Sequence, residues 1–385
     1  MGYSFQSFSK ILRSYQMSDN NKSYVWTLLP AQNPDGNYIM SAIVKRTYDI
    51  DDNGNCKPSE KQDGLISADI YYDGKDPVTA SCLMESDYIP YKVATDVVVI
   101  GKAYAPKGIP VQSLFASVSV NGQTKRVIIF GNRKCSYSLL RGLKFSEPEP
   151  FTEMEIRYEN AYGGVDLDSF GPDQPMIYPR NFIGKGFIVK NIKEGLDKLE
   201  LPNIEDPDYL LTPDNIITEK MENWQTQPMP QGFGWYGKLW YPRCSYAGVL
   251  PAYMSLYKEI LEAASGLVPK DQVEQFKKFK LPMLDFKFFN GASPGLIFPF
   301  LKGGEVISLV NMSPHGNIDI KLPDVKLKIG IDIGKGMQYP EVVLQTVCIL
   351  KEQNRLYLVW RGAIDSPGPD KMTEITKMDV VIEEG

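Results

Sequence analysis

Leu114-Phe115-Ala116-Ser117-Val118-Ser119-Val120-Asn121-Gly122-Gln123-Thr124-Lys125-Arg126-Val127-Ile128-Ile129-Phe130 is the stretch that decides the fold class. Phe115, Val118 and Val120 alternate with small or polar residues up to Asn121-Gly122, and the apolar run Val127 to Phe130 follows. Asn and Gly tolerate the positive φ angles of a two-residue turn, so the pattern predicts a β-hairpin centred on Asn121-Gly122.

Strand character extends outward from this hairpin in both directions. Asp96 to Ala103, Val325 to Ile333, and the pair Val342 to Leu350 with Leu356 to Trp360 carry β-branched and alternating apolar residues. Helical periodicity is confined to Ala252 to Ala264, with Leu256, Ile260 and Leu261 on one stripe, to a segment opening at Pro269 with Val273, Phe276 and Phe279, and to a shorter piece, Ile192 to Leu199. These stripes read as core packing. The expectation is a mainly β (α+β) chain of antiparallel, sandwich-like sheets, with a few helices around 250–280. Stretches rich in Pro, Gly and polar residues, 146–150, 163–186 and 201–237, read as surface loops, and long ordered loops are often functional. A boundary near residue 150 divides the chain into β-rich stretches 1–150 and 151–385, the alternative being one integrated unit.

Composition narrows the function. The 385 residues include 42 Lys plus Arg against 47 Asp plus Glu, a net charge of −5, with no basic run to follow a phosphate backbone. Nucleic acid is therefore not an expected partner. Apolar runs such as Val97 to Ile100 and Leu296 to Leu301 fall far short of the roughly 20 residues that span a bilayer. Met1 to Lys10 lacks the pattern of a signal peptide, so the expected compartment is the cytoplasm, with no membrane partner. Cys56, Cys82, Cys135, Cys244 and Cys348 are odd in number, widely spaced and without a C-x-x-C pair, which argues against a disulfide framework and a zinc site.

A search for catalytic chemistry finds little. The single histidine, His315, lies in the turn-like context Asn311 to Gly316, so no two-histidine metal site can form. Gly184-Lys185-Gly186 and Gly334-Lys335-Gly336 complete no phosphate-binding fingerprint. Glu147 with Glu149 and Glu153 with Glu155 are pairs of the kind that serve acid and base work in glycosidases, although surface charge explains them as well. No tightly bound metal or organic cofactor is expected, nor an enzyme. The stretch Gln231 to Arg243 is dense in aromatics, and Phe233, Trp235, Tyr236, Trp240, Tyr241 and Arg243 are of the types enriched at binding hot spots. They are the candidate partner-binding residues, with core anchoring of a long loop as the competing reading.

A resemblance emerges from longer motifs. Glu85-Ser86-Asp87-Tyr88-Ile89-Pro90-Tyr91-Lys92, then Thr95-Asp96-Val97, then Gly101-Lys102-Ala103-Tyr104-Ala105-Pro106-Lys107-Gly108 come first. Phe130-Gly131-Asn132-Arg133, Arg157-Tyr158-Glu159-Asn160-Ala161-Tyr162-Gly163-Gly164, Asn181 to Phe187, Leu201 to Glu205, Pro242-Arg243, Phe288-Phe289-Asn290, Gly303-Gly304-Glu305 and Val359-Trp360-Arg361 follow in order. Across nearly its whole length the chain resembles a bacterial domain-of-unknown-function family encoded beside type VI secretion spike and PAAR-tip genes. It departs from that pattern after Gly248, around Ala292 to Leu296, and at Cys135 or Tyr137, where the family commonly carries tryptophan.

The resemblance implies a cytoplasmic adaptor or chaperone. Such a protein binds a toxic effector or a PAAR tip and helps load it onto the spike of a contractile injection system. It implies no catalytic residues. Glu85, Asp87, Lys92, Asp96, Arg133, Arg157, Glu159, Gly163, Gly164, Trp360 and Arg361 stand as structural motif residues. Asp87, Asp96, Arg133, Arg157, Glu159, Arg180 and Arg243 are expected in partly buried ion pairs. The competing functions are a structural component of the particle and a carbohydrate-active enzyme using carboxylates and the Trp235 to Tyr241 aromatics.

Overall fold

The computed structural model describes residues 23–138, 140, 142–190, 196–248, 283–368, 371, 375 and 378–384. The hairpin forms as its sequence predicts. Ser113–Val120 and Gln123–Phe130 pair antiparallel with Val120 opposite Gln123, and the two turn residues take positive φ, 50° at Asn121 and 80° at Gly122. Gly122→Val places a β-branched residue in that conformation, an expected loss of about 1–2 kcal/mol. Gly122→Asn, which tolerates the turn, should lose much less; equal denaturation midpoints for the two variants would show that the turn does not set the register.

Fourteen strands carry the architecture, numbered here in chain order: β1 Val25–Gln32, β2 Tyr38–Ile50, β3 Cys56–Pro58, β4 Thr95–Ile100, β5 Ser113–Val120, β6 Gln123–Phe130 and β7 Ile204–Glu205. The remainder are β8 Ile297–Phe298, β9 Val306–Ser313, β10 Gly316–Lys321, β11 Leu327–Asp332, β12 Val342–Leu350, β13 Arg355–Asp365 and β14 Asp379–Glu384. A seven-stranded sheet runs β1-β2-β13-β12-β4-β8, with β3 added beside β2, and is antiparallel except between β12 and β4. A five-stranded sheet runs β7-β6-β5-β9-β10, and β11 pairs with β14. The protein is mainly β, with antiparallel pairing dominant. Both large sheets draw strands from either side of residue 150, so the two stretches are interleaved. The helical segments predicted at 252–264 and from Pro269, and residues 192–195 of the third, lie outside the described residues.

The two large sheets share one hydrophobic core, in which Met40, Ala42 and Val44 of β2 join Val118, Val127, Ile129, Leu309 and Ile320. The opposite face of the seven-stranded sheet is covered as well. Leu29, Ile43 and Val359 pack beneath Tyr88, and Ser41 Oγ donates to Pro90 O at 2.7 Å. Residues 39–48 of β2 are consequently buried without interruption, as in strands enclosed on both faces. The Pro- and Gly-rich stretches are not simple surface loops. They wrap small satellite cores, one around Tyr162, Tyr178, Phe187, Val189 and Leu211 and another around Tyr158, Tyr236 and Trp240. Their aromatic rings supply enough apolar area to hold irregular backbone in place.

Candidate functional site

Strand β4 begins with Thr95 and Asp96, both wholly buried, and a carboxylate there requires donors on every side. Lys92 Nζ donates to Asp96 Oδ2 at 2.6 Å and to Thr346 Oγ1 of β12 at 2.9 Å. Asn290 Nδ2 at 3.1 Å, Gly291 N at 3.0 Å and Ala292 N at 3.3 Å complete the shell of Asp96. Arg243 lies alongside: its guanidinium grips Glu85, with Nη2 3.0 Å from Oε2, while Nη1 donates to Tyr236 O at 2.6 Å and Nε to Phe288 O at 2.9 Å. Burial opposes the charge on Arg243, and the Glu85 carboxylate beside it more than offsets that. A backbone hydrogen bond from Tyr236 N to Gly291 O joins the two ion pairs.

This clasp unites four segments far apart in sequence: 85–96, 234–243, 286–293 and β12. Glu85, Lys92, Asp96 and Arg243 thus meet in one buried network. Asp87 forms a separate pair nearby, accepting from Lys45 Nζ at 2.7 Å, with Lys45 also 4.6 Å from the centre of the Tyr357 ring. Arg133 pairs with Glu205, donates to Pro202 O at 2.7 Å and stacks on Phe130; burial pushes the Glu205 carboxyl upward against the pull of Arg133. Arg157 pairs with Glu155 and reaches Asp73 at 3.7 Å. Glu159 accepts from Ser81 N and Ser81 Oγ rather than from a cation.

Gly163 and Gly164 have a packing role. A Cβ on Gly163 would lie 2.0 Å from Asn181 O, and one on Gly164 2.6 Å from Gly184 O. Trp360 is buried edge-on to Tyr24. Arg361 lies beneath Tyr91 with its guanidinium 4.1 Å from the ring centre. Arg180, expected in an ion pair, makes none among the described residues: its Nη1 donates to Gln227 O at 2.9 Å and the guanidinium stacks on Trp224.

The aromatic stretch corrects an expectation. Phe233, Trp235, Tyr236, Trp240 and Arg243 are all buried, with at most 3% of their surface exposed, so five of the six candidate partner-binding residues are core anchors in this chain. Tyr236 Oη donates to Arg180 O at 2.9 Å and Tyr241 O at 2.6 Å, and its ring meets Trp240 at 5.3 Å between centres. Tyr241 alone is exposed, at 39%, and its ring lies edge-on to half-buried Trp224 at 5.2 Å. Trp224, Arg180 and neighbouring Tyr209, whose Oη donates to Thr226 O at 3.0 Å, extend this aromatic surface. Sequence reading missed Trp224 and Tyr209 because neither falls in a dense run.

Other candidate chemistry is dispersed. His315 is exposed at the β9–β10 turn. Glu153 pairs with Lys102, and Glu155 with Arg157. Burial pushes the thiols of Cys56, Cys135 and Cys348 up to about 12, which makes them poor nucleophiles at neutral pH. Among the described residues no cluster of His, Cys, Asp and Glu is placed to hold a metal ion, and no helix is long and apolar enough to cross a membrane. An open groove of about 450 Å³ lies between the β5–β6 turn and residues 298–305.

A family model described as an uncharacterized protein conserved in bacteria (DUF2169) matches residues 35–361. No curated protein and no solved structure matches the chain.

Proposed function

The chain belongs to the bacterial family DUF2169, and from that premise we propose that it is a binding protein: a cytoplasmic adaptor that holds a type VI secretion effector or its PAAR tip and helps load it onto the spike. The observation that carries this reading is the internal commitment of the motif residues. Glu85, Lys92, Asp96, Arg133 and Arg243 are buried and ion-paired within the protein, so they build a rigid scaffold. A scaffold of this kind leaves recognition to its surface. The surface around Tyr241, Trp224, Tyr209 and Arg180 has the composition of binding hot spots, with rigid rings and a guanidinium that carries no ion pair among the described residues. The motif pieces also follow the order of the secretion-associated family.

The test is co-expression of the full chain with the PAAR-tip and effector proteins encoded beside it, followed by affinity purification. A stable complex is expected. Replacing Tyr241 and Trp224 with Ala should weaken it at least about tenfold, the effect of losing hot-spot rings, while leaving the melting temperature within a few degrees. Failure of both neighbours to co-purify with the unaltered chain overturns the adaptor reading; undiminished binding by the variant moves the interface elsewhere.

A further inference from the structure

Asn-Gly occurs three times in the chain, at Asn53-Gly54, Asn121-Gly122 and Asn290-Gly291. The dipeptide carries its own chemistry. With no side chain on its second residue, the backbone nitrogen of the glycine can reach the carboxamide carbon of a labile asparagine, and the fold decides which of the three uses that approach.

At Asn290 the approach is closed. Its Nδ2 donates to Ala94 O at 2.9 Å and to Asp96 Oδ1 at 3.1 Å, its Oδ1 accepts from Val93 N at 3.3 Å, and Gly291 N donates to Asp96 Oδ2 at 3.0 Å. Both residues are buried. Asn53 is exposed, but the nitrogen that would attack it is not free: Gly54 is buried, its N–H donates to Asp51 O at 3.0 Å, and a Cβ there would lie 1.9 Å from Asp319 O. Asn121-Gly122 differs in each respect. Both residues are exposed at the hairpin tip, and neither the Asn121 carboxamide nor Gly122 N–H is hydrogen-bonded to another described residue. Nothing lies within 4 Å of where a Cβ on Gly122 would stand.

We propose that Asn121 is a site of spontaneous covalent modification, the position at which the folded chain converts asparagine to aspartate and isoaspartate with water as the co-reactant. Gly122 N forms a bond to Asn121 Cγ, the Cγ–Nδ2 bond breaks, and Nδ2 departs as ammonia with the proton from the Gly122 amide. Water then opens the cyclic imide. Attack at Cγ gives aspartate, whereas attack at the main-chain carbonyl carbon gives isoaspartate, whose backbone runs through Cβ and Cγ and is one atom longer. The fold gives that extra atom a consequence. The turn has only two residues, both at positive φ, and it sets Val120 opposite Gln123, so a longer backbone breaks its geometry and with it the local register. Val120, Asn121 and Gln123 line the open groove, and Gln123 Nε2 donates to Gly295 O at 3.1 Å. Conversion therefore adds a negative charge to the groove and loosens the hairpin tip from residue 295.

The test is incubation of the folded full chain at mildly alkaline pH, where the glycine amide loses its proton more readily. The mass gain of one dalton at each asparagine is followed by peptide mass spectrometry, and isoaspartate is read by enzymatic methylation. Asn121 should convert at least about tenfold faster than Asn53 and Asn290, because each of those must first open locally to free its glycine nitrogen. In guanidinium chloride, where all three are solvated alike, the rates should converge to within about threefold. Gly122→Asn, which the turn tolerates, puts a side chain beside the attacking nitrogen and should slow conversion at Asn121 by about tenfold or more. The proposal is overturned if Asn53 or Asn290 converts as fast as Asn121 in the folded chain. It is overturned equally if folding slows Asn121 itself by about tenfold or more, the result of a turn that holds the carboxamide away from Gly122 N.

Discussion

Replacing Trp235 and Tyr236 together with Ala is expected to lower the unfolding free energy by about 6 kcal/mol, since each large-to-small change in a core costs about 3–5 kcal/mol and neighbours do not add fully. Trp235 packs in the main core, bridges to Ala292, and lies beneath Lys92 at 5.3 Å. Tyr236 is fixed through its ring by Tyr158 and Trp240 and through its hydroxyl by two carbonyls. A domain stable by about 5–15 kcal/mol would be left marginal. Chemical denaturation measures the loss directly. Tyr236→Phe, which keeps the ring and removes only the hydroxyl, should lose about 1–2 kcal/mol. An unchanged midpoint for the double Ala variant would mean that these rings do not anchor the loop.

That loop shows where sequence reading stops. A run with Phe233, Trp235, Tyr236, Trp240 and Tyr241 describes a hot spot and a core anchor equally well. The choice depends on which rings turn inward, and contacts with Tyr158, Phe182 and Ser293, scattered along the chain, make that choice. Gly237 contributes too, since a Cβ there would come within 2.6 Å of the Trp240 ring. The β5–β6 hairpin, by contrast, is legible because its turn and its alternation are both local. Strand β2, the longest, gives no alternating signal because both of its faces are covered. Lys45 and Arg46 in the middle of that apolar run are the mark of ion pairs, a buried one with Asp87 and one that opens to solvent at Glu384. Of the charges expected in ion pairs, Asp87, Asp96, Arg133, Arg157 and Arg243 form them and Glu159 accepts from Ser81 instead, and the partners were not legible: Arg243 and its partner Glu85 stand 158 residues apart. Arg180 follows the same motif logic and yet forms no ion pair among the described residues, which is why it draws attention at the surface.

Removing one side of the Lys92–Asp96 pair is expected to cost about 3–5 kcal/mol, because the remaining charge is buried without its counterpart. Lys92→Met leaves the Asp96 carboxylate facing only neutral donors. Asp96→Asn leaves the Lys92 ammonium facing an amide and Thr346. The two variants differ in a second respect. Asp96 also gathers Asn290, Gly291 and Ala292, and an asparagine retains one acceptor for these donors where the carboxylate offers two. Combining Lys92→Met with Asp96→Asn removes both charges, so the double variant should recover most of what each single one loses, with a coupling of about 2 kcal/mol or more. It should still fall short of the original chain, because one of the donors from 290–292 is left without its acceptor. Measured as a double-mutant cycle by denaturation, strict additivity would show that the pair does not act as a unit. Single losses below about 1 kcal/mol, the range of an exposed pair, would rule out the buried clasp itself.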